Sequence, residues 1–170
     1  PNDLSCYRAL VIPEGAILDQ TAADELRAYV RNGGKVIGFA HSGSLDKHGN
    51  KQSKFMLEDL FGVKVGKQIK LPADLTMGFV DVDVSSSALL DTGKCIPPLV
   101  ADVKPTTAKV VARLDHEKRF PVVFRNRFGK GEAIMLATTD GACRSNPALW
   151  SALLTMTGSG DPTFNVPVDH

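Results

Sequence analysis

The sequence predicts an α/β fold built on a mostly parallel sheet and finished by a late β-hairpin. Three observations predict it. An apolar run, an amphipathic helical stretch and a second apolar run follow one another between residues 9 and 40. A Gly129-Lys130-Gly131 turn separates two strand-like segments near the C-terminal end. The 170 residues, 43% of them hydrophobic, suffice for one domain with a sizeable core.

Ala9 to Ile12 is continuously apolar, as a strand covered on both faces must be. Pro13-Glu14-Gly15 ends it. Asp19 is placed to cap the next helix, with Asp24 and Glu25 early against its dipole. Ala22, Leu26, Tyr29 and Val30 fall on one helical stripe, and Gly33-Gly34 stops the helix. Lys35 to Ala40 supplies the second strand and completes a βαβ unit. His41 to Gln52 is polar and reads as a long loop. Ser53 is placed to cap a short helix that carries Met56, Leu57, Leu60 and Phe61 and closes at Gly62. Val80, Val82 and Val84 alternate with Asp81 and Asp83, the pattern of a half-exposed strand. Residues 85–108 read mostly as loop, with Pro97-Pro98 excluding a helix. Lys109 to Leu114, Phe120 to Phe128 and Glu132 to Thr138 are strands, the last two joined by the glycine turn. Asn146-Pro147 starts a final helix with Leu149, Trp150, Leu153 and Leu154 on its buried stripe. The domain is therefore assigned to residues 1–158. Residues 159–170, with Gly160, Pro162 and Pro167, read as a linker or the start of a following segment.

Composition excludes several functions. Twenty Lys and Arg against nineteen Asp and Glu leave a formal charge of +1, so no bulk electrostatic drive toward nucleic acid exists. No apolar run approaches the ~20 residues that span a bilayer. Residues 1–12 carry neither the basic start nor the cleavage motif of a signal peptide. The opening Pro1-Asn2-Asp3 reads as the start of an excised piece. Cys6, Cys95 and Cys143 lack the spacing of a disulfide framework or zinc site and read as free thiols.

Three segments, taken in order, resemble a known family. They are Tyr7-Arg8-Ala9-Leu10-Val11-Ile12-Pro13 with Leu26-Arg27-Ala28-Tyr29-Val30-Arg31-Asn32-Gly33-Gly34-Lys35-Val36-Ile37, then Leu57-Glu58-Asp59-Leu60-Phe61-Gly62-Val63, then Pro121 to Ala133 with its Arg125-Asn126-Arg127-Phe128-Gly129-Lys130-Gly131 core. Over residues 4–158 the chain resembles the β-galactosidase trimerisation domain of bacterial glycoside hydrolases, a member of the glutamine-amidotransferase-like superfamily. The resemblance implies a flavodoxin-like sandwich. It also implies a catalytic barrel in a separate, preceding domain, and one more strand and helix ahead of Tyr7 that this chain begins too late to hold.

The resemblance also directs attention to the turn after Lys35 to Ala40, where amidotransferases place a nucleophilic cysteine. Here that turn reads His41-Ser42-Gly43, so amidase activity is not carried over. Ala40-His41-Ser42-Gly43-Ser44 lacks both outer glycines of a Gly-x-Ser-x-Gly elbow. His41, Asp46 and His48 do not form a recognised metal-ligand spacing. Asp81 and Asp83, on one face of one strand, suit a solvent-facing edge better than a glycosidase carboxylate pair. Arg125 and Arg127 share a hairpin face that lacks interleaved aromatics, which argues against nucleic-acid binding. Glu14 and Asp140 each follow a parallel strand, the end at which open α/β sheets hold ligands. The ligand-binding candidates are therefore Glu14, His41, Ser42, Asp46 and Asp140, with no catalytic residue, metal or cofactor assigned. The expected function is a non-catalytic oligomerisation domain of a β-galactosidase-like bacterial enzyme. Its expected partners are the catalytic barrel, identical subunits or both, with no nucleic acid and no membrane. The alternatives are a small-molecule or glycan-binding module, using the loops after Ile12, Ala40 and Thr138, and a degenerate hydrolase using Ser42. Either compartment, cytoplasmic or exported with the parent, fits the sequence.

Overall fold

A computed structural model describes residues 4–45, 48–50, 52, 55–71, 78–92, 99–141 and 146–158. Ser53, Pro97-Pro98, Cys95, Cys143 and the 159–170 segment lie outside the described residues. The central element is a six-stranded sheet with the order β1-β2-β8-β7-β6-β4. Its strands are β1 (Leu10–Ile12), β2 (Lys35–Phe39), β4 (Phe79–Val80), β6 (Lys109–Leu114), β7 (Pro121–Phe128) and β8 (Gly131–Leu136). A separate two-stranded sheet pairs β3 (Val63–Lys70) with β5 (Leu99–Pro105). The α-helices lying wholly within the described residues are α1 (Gln20–Arg31), α2 (Glu58–Phe61) and α3 (Pro147–Met156).

The sheet is mixed. β1, β2 and β8 run parallel, whereas β8-β7, β7-β6 and β6-β4 are antiparallel. The expected mostly parallel arrangement therefore describes only the β1-β2-β8 side. The cause lies in the connections. Residues 115–120 and 129–130 are too few to make the long crossover that parallel neighbours require, so β6, β7 and β8 form a meander. The βαβ unit predicted for residues 9–40 is present, with Leu10 opposite Val36 and Ile12 opposite Gly38.

Both faces of the sheet are covered at β2, whereas β1, at the sheet margin, leaves Val11 40% exposed and is not the doubly covered strand expected for residues 9–12. Adjacent strand residues point to opposite faces. A Cβ on Gly38 would sit 2.5 Å from the Phe61 ring of α2, while Phe39 packs edge-on against Trp150 of α3, with centroids 6.0 Å apart. Hence α2 lies on one face and α3 on the other. α1 joins α2 through Arg27, which forms two 2.8 Å bonds to the Asp59 carboxylate and a 2.7 Å bond to Met56 O. Buried Asn126 of β7 donates to Leu60 O at 2.9 Å and accepts from Thr107 Oγ1 at 3.0 Å, holding the end of α2 to the sheet.

The helix ends follow local chemistry. Asp19 caps α1 by accepting from Ala22 N at 2.8 Å. Asp24 and Glu25 fall in the second turn rather than the first, so they do not serve the dipole as expected; Asp24 instead pairs with Arg27 at 2.9 Å. Gly62 closes α2 at φ 64°, and Asn146 caps α3 through Leu149 N. At the β7–β8 hairpin Gly129 takes φ 64°, while Gly131 is needed for closeness: a Cβ there would lie 2.1 Å from Gly34 O.

Two further expectations change. The valine–aspartate alternation is a strand only through Val80, because Asp81 turns the chain at φ 52° and residues 84–92 form a 3-10 segment. Asp81 and Asp83 consequently share no strand face. Asp81 faces Arg119 at 3.4 Å, whereas Asp83 accepts from Ser85 N and pairs with Lys109. The 85–108 stretch is not mostly loop, since it contains the 3-10 segment and β5.

Candidate functional site

The order β1-β2-β8 sets the C-terminal ends of the three parallel strands side by side. Glu14 follows the first, His41 and Ser42 the second, and Asp140 the third, so four of the five candidates belong to one end of the sheet. Asp46 lies outside the described residues. Glu14, His41 and Asp140 are half-buried and each makes interactions within the fold.

Ser42 is not poised as a nucleophile. It is fully buried, its Oγ accepts from Phe39 N at 2.8 Å, and it donates to Ile12 O at 2.6 Å. A hydroxyl whose proton is held by a backbone carbonyl has no histidine base acting on it. The side chain instead clamps the end of β1 to the turn after β2. His41 turns toward β3, where its Nε2 lies 2.6 Å from Gln68 Nε2. An amide nitrogen only donates, so His41 Nε2 is the acceptor in this pair. Thr138 and Thr139, just before Asp140, are buried, and among the described residues their hydroxyls have no hydrogen-bond partner. They did not stand out in sequence because threonine at a strand end is ordinary.

Among the described residues, two of the cavities lie away from these strand ends. One of about 580 Å³ runs between the N-terminal turn (residues 4–8) and α1. The other, about 500 Å³, lies between α1, α2 and β3 and has Arg27, Phe55 and Asp59 in its wall. There the hydrogen bonds from Arg27 hold the Asp59 carboxyl below the usual carboxylate range, with the guanidinium charge adding to the effect against partial burial. Arg27 already serves Asp59, Asp24 and Met56 O, which makes it a latch between helices. Among the described residues no group of three or more His, Cys, Asp or Glu could hold a metal ion, and no helix is long and apolar enough to cross a membrane.

Most of this geometry stabilises the domain, and its residues show where such a domain occurs. Residues 1–159 match the family described as the β-galactosidase trimerisation domain. The chain belongs to this family. The fold is similar to part of the β-galactosidase from Bacillus circulans sp. alkalophilus, at 20% identity and TM-score 0.75, covering 93% of this chain and 23% of that enzyme. The β-galactosidase from Rahnella sp. R3 gives 18% identity, TM-score 0.74 and coverage of 92% and 23%. That from the haloarchaeon Halorubrum lacusprofundi gives 25% identity, TM-score 0.69 and the same coverage of each chain. The chain thus spans under a quarter of the length of these enzymes. The trimerisation domain is a non-catalytic accessory domain of glycoside hydrolase family 42 β-galactosidases. In this trimerisation domain, the Ser42 clamp occupies the turn after β2.

Proposed function

We propose that this trimerisation domain joins subunits of a β-galactosidase-like glycoside hydrolase and packs against that enzyme's catalytic barrel. The observation that carries the reading is the family match over residues 1–159. The surface supports it. Among the described residues β1 is the outermost strand on its side of the sheet, and Val11 within it and Ile17 after it are 40% and 54% exposed. Val84 and Leu90 of the 3-10 segment are 91% and 60% exposed. An open strand edge with apolar neighbours invites contact with another chain. A cyclic trimer needs two different surfaces on each subunit, and these two groups supply a candidate for each. We also assign the β1-β2-β8 half to a glutamine-amidotransferase-like, flavodoxin-like origin whose nucleophile turn has become structural.

Sedimentation velocity of the full-length protein tests the reading. A trimer is expected, with dissociation when Val11→Asp and Val84→Asp are combined. A monomer at high micromolar concentration would refute it.

A further inference from the structure

We propose that the cavity between the N-terminal turn and α1 binds a single neutral saccharide unit. This claim does not rest on trimerisation. The back wall is fixed. Tyr29 is buried, its hydroxyl donates to Tyr7 O at 2.9 Å, and its ring lies so close over Gly34 that a Cβ there would stand 2.3 Å from a ring carbon. These contacts hold the turn against α1 and keep the cavity formed. Its volume of about 580 Å³ is in the range of small-molecule sites, roughly 300–1,000 Å³.

The lining sets the ligand class. Tyr7 presents a ring in a residue that is 56% exposed. Arg8, Glu25 and Asn32 line the same cavity, and among the described residues none of their side chains has a hydrogen-bond or ion-pair partner. One guanidinium, one carboxylate and one amide leave the site without net charge. Asn32 and Gly33 also mark the C-terminal end of α1, where the helix dipole is negative and disfavours a phosphate or carboxylate. The complementary ligand is therefore neutral, with one apolar face and a ring of hydroxyls. A pyranose fits: its C–H face covers the Tyr7 ring, while neighbouring hydroxyls donate to Glu25 and accept from Arg8 and Asn32.

The test is a titration of the chain with D-galactose, D-glucose and lactose, followed by amide NMR shifts. Saturable shifts are expected in residues 5–8 and 25–34 with at least one sugar. Tyr7→Ala should weaken that binding about tenfold, consistent with losing an aromatic contact. Tyr7→Phe should keep it within about twofold, because the hydroxyl is not required for stacking. Glu25→Gln, at an exposed position, should weaken it without changing the melting temperature, and decides the matter alone if Tyr7→Ala fails to fold. Inorganic phosphate should leave these residues unshifted. The proposal is overturned if no sugar gives saturable shifts up to its solubility limit, if binding survives Tyr7→Ala or Glu25→Gln unchanged, or if phosphate saturates the same residues. None of these results bears on subunit association, which sedimentation reports separately.

Discussion

Replacing Ser42 by alanine separates a clamp from a catalytic hydroxyl. The substitution removes a 2.8 Å bond from Phe39 N and a 2.6 Å bond to Ile12 O at a fully buried position. Each net hydrogen bond is worth about 1 kcal/mol, and a buried group left without a partner costs about 1–3 kcal/mol. The volume change is one oxygen atom, so no cavity large enough for water relieves the orphaned groups. Together these give a loss of about 2–4 kcal/mol. For a domain of this size 1 kcal/mol moves the melting temperature by about 2–4 °C, so a fall of about 4–16 °C is expected. The assay is thermal denaturation followed by circular dichroism, with glycosidase and esterase turnover measured on the same samples. Turnover per folded molecule should be unchanged. A melting shift under about 1 °C would refute the clamp, and esterase turnover that vanishes in the variant would restore Ser42 as a nucleophile.

Two other perturbations follow from close contacts. Gly131→Ala forces a Cβ to within 2.1 Å of Gly34 O and 2.3 Å of Val30 O, so it should destabilise by about 1–3 kcal/mol or more in a denaturant titration, while Gly15→Ala, with nothing within 4 Å, should leave the midpoint nearly unmoved. The Arg27 hydrogen bonds lower the Asp59 pKa from 3.8, so this pair stabilises the fold above that value and the contribution fades as pH falls through the lower folded value. Asp59→Asn should therefore lower stability at neutral pH and flatten the acid limb of the stability profile; an unchanged limb would show that the latch contributes nothing.

Local chemistry made much of the fold legible. The βαβ unit, the Asp19 and Asn146 caps, the Gly62 stop and the hairpin at residue 129 all appear where short-range rules place them, because each depends on a few adjacent residues. The β3-β5 sheet was not legible. In β3 the lysines at 64, 67 and 70 leave no clean alternation, and the register shift between Val65 and Gln68 interrupts it further. In β5 the inward Ala101 and Val103 alternate with Asp102 and Lys104, but seven residues flanked by prolines and threonines read as loop. The valine–aspartate run misled because alternation reports a period, not the positive φ at Asp81 that ends the strand. Of the candidate site, sequence placed Glu14, His41, Ser42 and Asp140 at one end of the parallel strands. It did not show that the Ser42 hydroxyl is spent on the backbone, since that depends on Ile12, thirty residues away. Nor did it locate the cavity at Tyr7, where the Tyr29 hydroxyl holds Tyr7 O from 22 residues away.

The most direct test of the central claim is the solution mass of the β-galactosidase-like enzyme proposed to carry this domain, with and without residues 4–158, measured by light scattering alongside its galactoside turnover per active site. The account predicts a trimer for the intact protein and a monomer after deletion, with the isolated chain turning over no galactoside. A deleted protein that remains trimeric, or an isolated chain that hydrolyses substrate, would contradict it.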